Sequence, residues 1–423
     1  MTAPATASFR TMRISIPSIP EQAKRATIEY SLENASKMVA EFLTAAKGKA
    51  LIMTGAGVSV DSGIAPYRGE NGHYTVHKTY RPIFFHEFID PSEKGHLARQ
   101  RYFSRSYLGF PPVRVAKPNR THYSIAAIQR LGYVPEFITQ NVDNLHHAAT
   151  PSASLAASTI LELHGTLKHV VCVSSPEGYK SNSSSISSSH HHHHHHHHKA
   201  PMNPEFYDAM TATTYLAGPR AVTLRPENTP TGENYPKGCG FRGSRAVFQD
   251  ELTRLNPAWA QLQREMTETG KSPKTNPDGD VELHNVDYTT FNYPACPNCG
   301  GVLKPAVIFF GESVPDKLRD HSYQMVDNAN AMLLVGTSLA TYSAYRLVKQ
   351  AVEQNKPILI LNRGPTRADP LVQNKIELGS SQVLSLVANL LSNGRERNDK
   401  VLQSLLTSGV TIQPNQASGV ISS

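Results

Sequence analysis

Four cysteines are the residues in this chain best suited to hold a metal. Cys296 and Cys299 enclose two residues and precede two glycines, a spacing that lets two thiolates reach one tetrahedral ion. Cys172 and Cys239 complete a set of four, although a long Ser- and His-rich stretch separates them. We predict that this stretch is an insertion dividing one half of a zinc knuckle, so that Cys172 and Cys239 lie close together. Because four thiolates leave no open coordination position, the zinc would be structural. A redox-active Cys-x-x-Cys pair and unrelated buried thiols are the alternatives.

Small or polar residues follow each of four short apolar segments. The four sets are Gly55-Ala56-Gly57, Gln140-Asn141, Gly336-Thr337-Ser338 and Asn362-Arg363-Gly364. Ligands of an open parallel sheet bind beyond the carboxyl ends of its strands, so these residues predict one dinucleotide crevice. The common fingerprint G-x-G-x-x-G is incomplete because Val60 stands at its third glycine. Gly55 and Gly57 nevertheless let the backbone approach a pyrophosphate, with residues 58–61 starting the helix that faces it.

The scaffold that would position these groups is an α/β fold. Apolar runs predict strands, and apolar residues at helical spacing predict the helices between them. The strands are expected at 50–54, 133–139, 331–335 and 357–361, and the helices at 32–46, 121–131, 321–328 and 342–354. Continuous apolar strands that alternate with helices indicate a parallel sheet covered on both faces.

The composition restricts the class of protein further. The chain has 423 residues, 39% of them hydrophobic, which is typical of a globular protein with two or three domains. No apolar run approaches the ~18 residues of a membrane-spanning helix, and four cysteines in 423 residues exclude a disulfide scaffold. The net charge of +8 is too dilute to indicate nucleic-acid binding. We therefore expect a soluble, intracellular protein with a modest basic excess.

Three segments lie outside this scaffold. The first twenty residues contain Arg10, Arg13 and no acid, which is typical of a mitochondrial targeting segment or of a plain disordered N-terminus. The stretch 181–199 is Ser-rich and contains nine histidines at 190–198, which predicts a disordered surface insertion, natural or engineered. From 395 to 423 we expect a short helix followed by a frayed tail.

Several motifs, in this order, resemble the sirtuin family. The matching segments are Gly55–Ile64, Thr139–His146, Leu163-His164-Gly165, the four cysteines, Lys304–Glu312, Gly336-Thr337-Ser338 and Asn362. The resemblance covers about 31–391 outside the insertion. Further segments, Arg81-Pro82-Ile83, Arg99–Tyr102, Leu255–Trp259 and Pro277–Asp280, resemble the class II branch, whose known eukaryotic members are mitochondrial.

The resemblance implies a domain plan and a reaction. A Rossmann-like NAD-binding domain is expected at 31–165 and 305–394, with a helical lobe at 83–117, a zinc-binding module at 166–304 and an insertion at about 176–236. NAD would be a consumed cosubstrate, zinc a structural ion, and an acylated lysine of a partner protein the second substrate. Nicotinamide would leave and the acyl group would end on ADP-ribose.

The resemblance also assigns roles to residues. His164 would take a proton from a ribose hydroxyl, which then attacks the amidate carbon, while Asn141 and Asp143 would line the nicotinamide pocket. Segment 307–310 would pair with the substrate peptide. The residues expected to bind the cofactor are Gly55, Ala56, Gly57, Asp61, Tyr67, Arg68, Gln140, His146, Gly336, Thr337, Ser338, Asn362, Arg363, Gly364 and Ser380.

Some positions depart from the family pattern. Gly63-Ile64-Ala65-Pro66-Tyr67-Arg68 lacks the usual acid of the mobile cofactor loop, and Ser380 stands where a cysteine is common. The acyl group stays open. Tyr102 and Arg105 have a Tyr-x-x-Arg spacing that could bind an acidic acyl chain or could form a surface turn. The surrounding phenylalanines would equally suit a long acyl chain; they are Phe84, Phe85, Phe103 and Phe110.

Together these features predict an NAD-dependent protein-lysine deacylase. A protein mono-ADP-ribosyltransferase using the same site and a non-catalytic nucleotide- or partner-binding module are the alternatives. We expect no membrane partner, consider nucleic acid an improbable one, and expect the mitochondrial matrix as the location, with the cytoplasm or nucleus as the alternative.

Overall fold

The computed structural model describes residues 17–20, 29–69, 72–76, 81–174, 238–270, 275–283 and 286–412. Most of the expected targeting segment, the Ser/His stretch and the end of the tail lie outside these residues. Within the described ranges, no helix is both long and apolar enough to cross a membrane.

The described strands form two sheets. They are β1 Ala50–Thr54, β2 Phe137–Thr139, β3 Ile160–Glu162, β4 Gly165–Ser174, β5 Arg242–Ser244, β6 Val302–Val307, β7 Ala331–Val335, β8 Ile358–Leu361 and β9 Lys375–Ile376. The larger sheet is parallel with the order β3-β2-β1-β7-β8-β9, and the smaller is antiparallel with the order β5-β4-β6. Thr54 of β1 pairs with Thr139 of β2 and Val335 of β7, so three carboxyl ends lie level at one edge.

The described helices cover both faces of the larger sheet and one side of the smaller. They are α1 Leu32–Ala45, α2 His73–Val76, α3 Phe85–Ile89, α4 Glu93–Val115, α5 Arg120–Arg130, α6 Leu145–Ala149, α7 Ala153–Thr159, α8 Arg245–Leu255, α9 Pro257–Glu268, α10 Asp316–Asn328, α11 Tyr342–Glu353, α12 Ser380–Ser392 and α13 Lys400–Thr407. Every residue of β1 and β7 is buried. Ile52 packs on the α1, α5 and α12 side, whereas its neighbours Leu51 and Met53 pack on the α10 and α11 side. This alternation explains why the central strands are continuously apolar.

The smaller sheet shares a separate core with α3, α4, α8 and α9. Tyr102, Phe103 and Phe309 stack edge to face around Phe88, and Phe309 follows β6. Aromatic rings at such angles add to the stabilisation from burial alone. This core joins the smaller sheet to the helices of the 83–117 segment and builds one wall of the cleft described below.

The predicted α/β class is confirmed, with differences at element ends. The strand expected at 133–139 is limited to Phe137–Thr139, because Pro135 has no amide hydrogen to donate to a neighbouring strand. The segment that follows Gly55 is a 3-10 helix, Ala56–Ser62, ended by Gly63 at φ 85°. The Ser152 side chain caps α7 by accepting a hydrogen bond from the amide of Leu155 at 3.2 Å.

Candidate active site

Glycines let the ends of β1 and β7 touch. The amide of Gly57 donates to the carbonyl of Gly336 at 2.8 Å. An added Cβ at Gly55 would stand 2.7 Å from the Thr337 Cβ, and one at Gly57 would stand 2.8 Å from the Gly336 carbonyl oxygen. Gly336 itself has φ +57°, a conformation that side chains disfavour. Only glycine fits this contact, which gathers the two strand ends into one backbone surface.

A polar network ties the end of β2 to that surface. The side-chain amide of Gln140 donates to the Thr54 carbonyl at 3.1 Å and to the Thr337 hydroxyl at 2.8 Å. Asn141 donates to the Ser59 hydroxyl at 3.1 Å, and Ser59 donates to Asp143 at 2.7 Å. The network therefore fixes the side chains of both residues that follow β2.

Asp143 and His146 are not among the described residues that border the cleft, and their roles at the cofactor site stay predictions. The Asp143 carboxylate turns to Ser59 and to the amide of Leu145, at 2.9 Å, where it caps α6, and burial raises its pKa. The buried His146 places Nε2 3.0 Å from the Thr54 hydroxyl, and its ring meets Phe137. Burial lowers the pKa of His146 well below its usual value. Asp143 thus reaches Asn141 through Ser59, a residue for which the sequence motif indicated no role.

His164 lies between β3 and β4 and faces the cleft. Its Nδ1 is 3.2 Å from the Gln140 carbonyl oxygen and its Nε2 is 2.7 Å from the Ser343 hydroxyl. The amide of Ile308 donates to the His164 carbonyl at 2.8 Å, which joins this histidine to the segment after β6. Burial lowers the pKa of His164 to about 4, with a further contribution from the positive charge of Arg346. The imidazole is therefore neutral at physiological pH.

These groups border one cleft of about 1280 Å³, at the carboxyl edge of the larger sheet and against the smaller sheet. This volume exceeds the usual 300–1,000 Å³ of small-ligand pockets, so two substrates have room. Among the predicted residues, those in its wall are Gly55, Ala56, Gly57, Asp61, Tyr67, Arg68, Gln140, Asn141, His164, Gly336, Thr337, Ser338, Asn362, Arg363, Gly364 and Ser380. The segment Val307–Phe310 borders the same cleft.

A buried ion pair supports that segment. Lys304 and Glu312 approach to 3.0 Å with almost no exposure of either side chain. Glu312 also accepts from the amide of Phe309 at 2.7 Å, and Phe310 forms a parallel bridge with Phe84. The turn after β6 is therefore held rigidly beside His164, a function of Lys304 and Glu312 that their positions in the motif did not reveal.

Arg105 is neither part of a surface turn nor open to a ligand. It is buried, its Nε donates to Asp280 at 2.9 Å and to the Val281 carbonyl at 2.8 Å, and its Nη2 pairs with the second Asp280 oxygen. Its Nη1 donates to the Arg81 carbonyl at 3.3 Å. Tyr102 alone reaches the cleft wall from the Tyr-x-x-Arg pair. The phenylalanines expected around an acyl chain are buried outside the described wall; they are Phe84, Phe85, Phe103 and Phe110.

The four cysteines meet in the smaller unit. Their sulfur atoms all lie within 4.8 Å of one another, with Cys172 to Cys299 at 3.6 Å and Cys239 to Cys296 at 3.5 Å. A tetrahedral ion with bonds of about 2.3 Å needs sulfurs about 3.8 Å apart, so the donor set fits zinc. Gly238 permits the arrangement, because a Cβ there would lie 1.9 Å from the Cys172 carbonyl oxygen. Cys172 and Cys239 thus lie close together, as predicted.

Comparison with known proteins places these features in one family. The Sir2 family profile matches residues 55–239 and 261–343. A Batrachochytrium dendrobatidis protein named "NAD-dependent protein deacylase SIR4" is 38% identical over 362 residues, covering 85% of this chain and 95% of that protein. An "NAD-dependent protein deacetylase" of Xanthomonas campestris pv. campestris is 34% identical over 337 residues, covering 79% and 85%.

Solved structures agree at the level of fold. A Sir2 homologue in complex with ADP-ribose has a TM-score of 0.50 at 19% identity, covering 85% of this chain and 98% of that one. A Sir2 protein with a deacetylated p53 peptide and 3'-O-acetyl ADP-ribose has a TM-score of 0.50 at 20% identity, covering 84% and 97%. From the extent of the profile match and the identity to these relatives, the chain belongs to the Sir2 family.

Proposed function

We propose that this protein is an NAD-dependent protein-lysine deacylase that transfers the acyl group to ADP-ribose and releases nicotinamide. The observation that carries the proposal is a neutral His164 facing a cleft that the strand-end backbone and the Val307–Phe310 segment also border. The named activities of the relatives and the ligands of the structural neighbours support it.

The residues of the cleft divide the work between the two substrates. The backbone at 55–57 and the hydroxyls of Thr337 and Ser338 suit the pyrophosphate of NAD, and the Asn141 amide suits the nicotinamide carboxamide. The segment Val307–Phe310 would hold the substrate peptide so that its acyl-lysine enters beside His164. There the imidazole takes the proton of a ribose hydroxyl as that oxygen attacks the acyl carbon.

We also propose the class II branch and a mitochondrial location. Contacts made by two of the class II segments support the assignment to that branch. Arg99 donates hydrogen bonds to the carbonyls of Phe88 and Asp90, and Asp280 accepts a hydrogen bond from Arg105. Arg10 and Arg13, in an acid-free N-terminal segment, support the mitochondrial location. Imaging of the chain with a C-terminal fluorescent tag tests the location, with a cytoplasmic or nuclear signal as the contrary result.

The activity itself is tested with NAD and a panel of acyl-lysine peptides. The protein should release nicotinamide and acyl-ADP-ribose, and His164→Ala should lower acyl-ADP-ribose formation by about 10²-fold or more, because a general base is lost. His321→Ala, on the solvent side of α10, is the matched control. Label from NAD left on protein would instead indicate ADP-ribosyl transfer, and ADP-ribose binding without nicotinamide release would indicate a binding module.

The pH dependence of kcat/KM should show that His164 remains a base in acid. Its pKa of about 4 means that the neutral form is lost only as the pH falls through about 4. An ordinary histidine with a pKa of about 6.5 would leave about a quarter of the neutral form at pH 6. We therefore expect that titration of His164 causes no fall in kcat/KM between pH 8 and pH 6. The measurement uses initial rates at substrate concentrations well below KM.

Asp278 provides the control for that profile. It lies in the cleft wall, and burial, with the charge of Asp280, raises its pKa to about 7. The limb that Asp278 contributes near pH 7 should therefore disappear in Asp278→Asn. Burial also raises the pKa of Glu162 to about 7, so a limb near pH 6.5 contradicts the neutral state of His164 only if it persists in both Asp278→Asn and Glu162→Gln.

We propose that the cysteine cluster binds one structural zinc ion. Structural zinc contributes about 10–16 kcal/mol of apparent binding free energy in small domains, so its loss should unfold the β4–β6 unit. Metal analysis should find one zinc per chain, and Cys299→Ser should lose it and lower the melting temperature. Deletion of 181–199 removes adventitious binding by the histidine run and should leave the single zinc in place. A deletion variant without zinc would refute the assignment.

The acyl pocket should prefer an uncharged chain. Since Arg105 is buried and already paired with Asp280, a terminal carboxylate entering beside Tyr102 would lose hydration without gaining this partner. We expect kcat/KM for a butyryl peptide to exceed that for the succinyl peptide of equal chain length by about tenfold, or about 1.4 kcal/mol. Asp280→Asn should narrow the ratio, whereas the exposed Asp287→Asn should not. Equal or faster turnover of the succinyl peptide by the unaltered enzyme would contradict this expectation.

A further inference from the structure

The hydroxyl of Ser343 contacts the nitrogen that the proposed reaction needs. Ser343 lies in the first turn of α11, and its Oγ stands 2.7 Å from His164 Nε2. Both side chains border the cleft. No sequence motif marked Ser343, because its partner lies 179 residues away in the chain.

The partner of the other ring nitrogen fixes which way this hydrogen bond runs. His164 Nδ1 is 3.2 Å from the Gln140 carbonyl oxygen, and a carbonyl can only accept. In the neutral ring Nδ1 therefore carries the hydrogen and Nε2 carries the lone pair. The 2.7 Å contact is then a hydrogen bond that Ser343 donates to His164 Nε2.

This contact occupies the only lone pair of the base. A ribose hydroxyl that gives its proton to His164 must therefore either displace Ser343 from Nε2 or pass the proton through the Ser343 hydroxyl. Ser343 can accept one proton while it donates another, since a hydroxyl has one hydrogen and two lone pairs. The second route needs no break in the existing hydrogen bond.

The surroundings of His164 favour release of the proton after the imidazole has accepted it. Among the described residues no carboxylate forms a hydrogen bond or ion pair with the ring, unlike the base of a Ser-His-Asp triad. Arg346, one turn further along α11, adds a positive charge, and the N-terminus of α11 adds a positive partial charge. An imidazolium formed here is destabilised, so it returns its proton readily when the Nε2 hydrogen bond reverses.

We propose that Ser343 relays the proton between the reacting ribose hydroxyl and His164. This inference rests on the deacylase function proposed above. The ribose oxygen forms its bond to the amidate carbon, and the π bond of the protonated C=N group breaks, its electron pair moving to the lysine nitrogen. At the same time the ribose proton moves to Ser343 Oγ, and the original Ser343 proton moves to His164 Nε2. Ser343 is unchanged in charge, and His164 holds the transferred proton until the product forms.

Two readouts on one set of variants test the relay. In a single turnover, with enzyme in excess over NAD and saturating peptide, Ser343→Ala should keep the rate of nicotinamide release within about twofold. It should lower the rate of acyl-ADP-ribose formation by about 10- to 100-fold, because only the second step needs the base. Ser343→Thr, which keeps the hydroxyl, should restore most of the product. Ser404→Ala, exposed on α13, is the matched control and should resemble the unaltered enzyme.

The contrary outcomes are distinct. Unchanged product formation in Ser343→Ala would show that the ribose displaces Ser343, and a parallel loss of nicotinamide release would show a merely structural role; both overturn the relay. If the unaltered enzyme releases neither nicotinamide nor acyl-ADP-ribose, the proposed function fails and the relay with it.

The hydrogen bond between Ser343 and His164 has its own measurement. The ¹⁵N chemical shift of His164 Nε2, assigned by its absence in His164→Ala, should change in Ser343→Ala. A shift that does not move would overturn the inference without reference to activity.

Discussion

The contact between the ends of β1 and β7 is the constraint on which the rest of the site depends. At Gly57 and Gly336 two backbones approach so closely that neither position has room for a Cβ. Gln140 can bridge Thr54 and Thr337 only because this contact sets the spacing of the two strand ends. The Gln140 carbonyl in turn holds His164. A side chain at either glycine would therefore displace groups well beyond the phosphate-facing backbone.

Two buried ion pairs support the walls of the cleft. Lys304 and Glu312 neutralise each other beneath the turn after β6, and Arg105 and Asp280 do so beneath Tyr102. Removing one member of a buried pair usually costs more than the pair contributes, so both pairs are rigid supports. At His164, burial and the positive charge of Arg346 lower the pKa and keep the imidazole uncharged. Support and reactivity in this cleft thus have one physical origin, the exclusion of water.

The sequence allowed the sheet and the strand-end residues to be predicted, because both leave local signals. Apolar runs such as Ala331–Val335 end directly in the small residues that border the cleft. Asp143 and His146 share the motif of Asn141, yet they face inward, because the turn into α6 directs their side chains to Ser59 and Thr54. The sequence also does not show whether Arg105 faces a ligand, since its partner Asp280 is remote in sequence. Residue spacing along the chain does not show which distant side chains pair in the folded protein.

The pairing of β4 with β5 near Gly238 determines where the chain can accept insertions of different length. β4 and β5 pair side by side, so the chain leaves the cysteine cluster at residue 174 and returns at 238 beside the place it left. The entropy of closing a flexible loop grows only logarithmically with its length, by about 0.6 kcal/mol for each doubling. Segments of very different length can therefore be exchanged between these two points with little effect on folding. Insertions can therefore accumulate between these two points during evolution, and a reporter or an affinity module could be joined there.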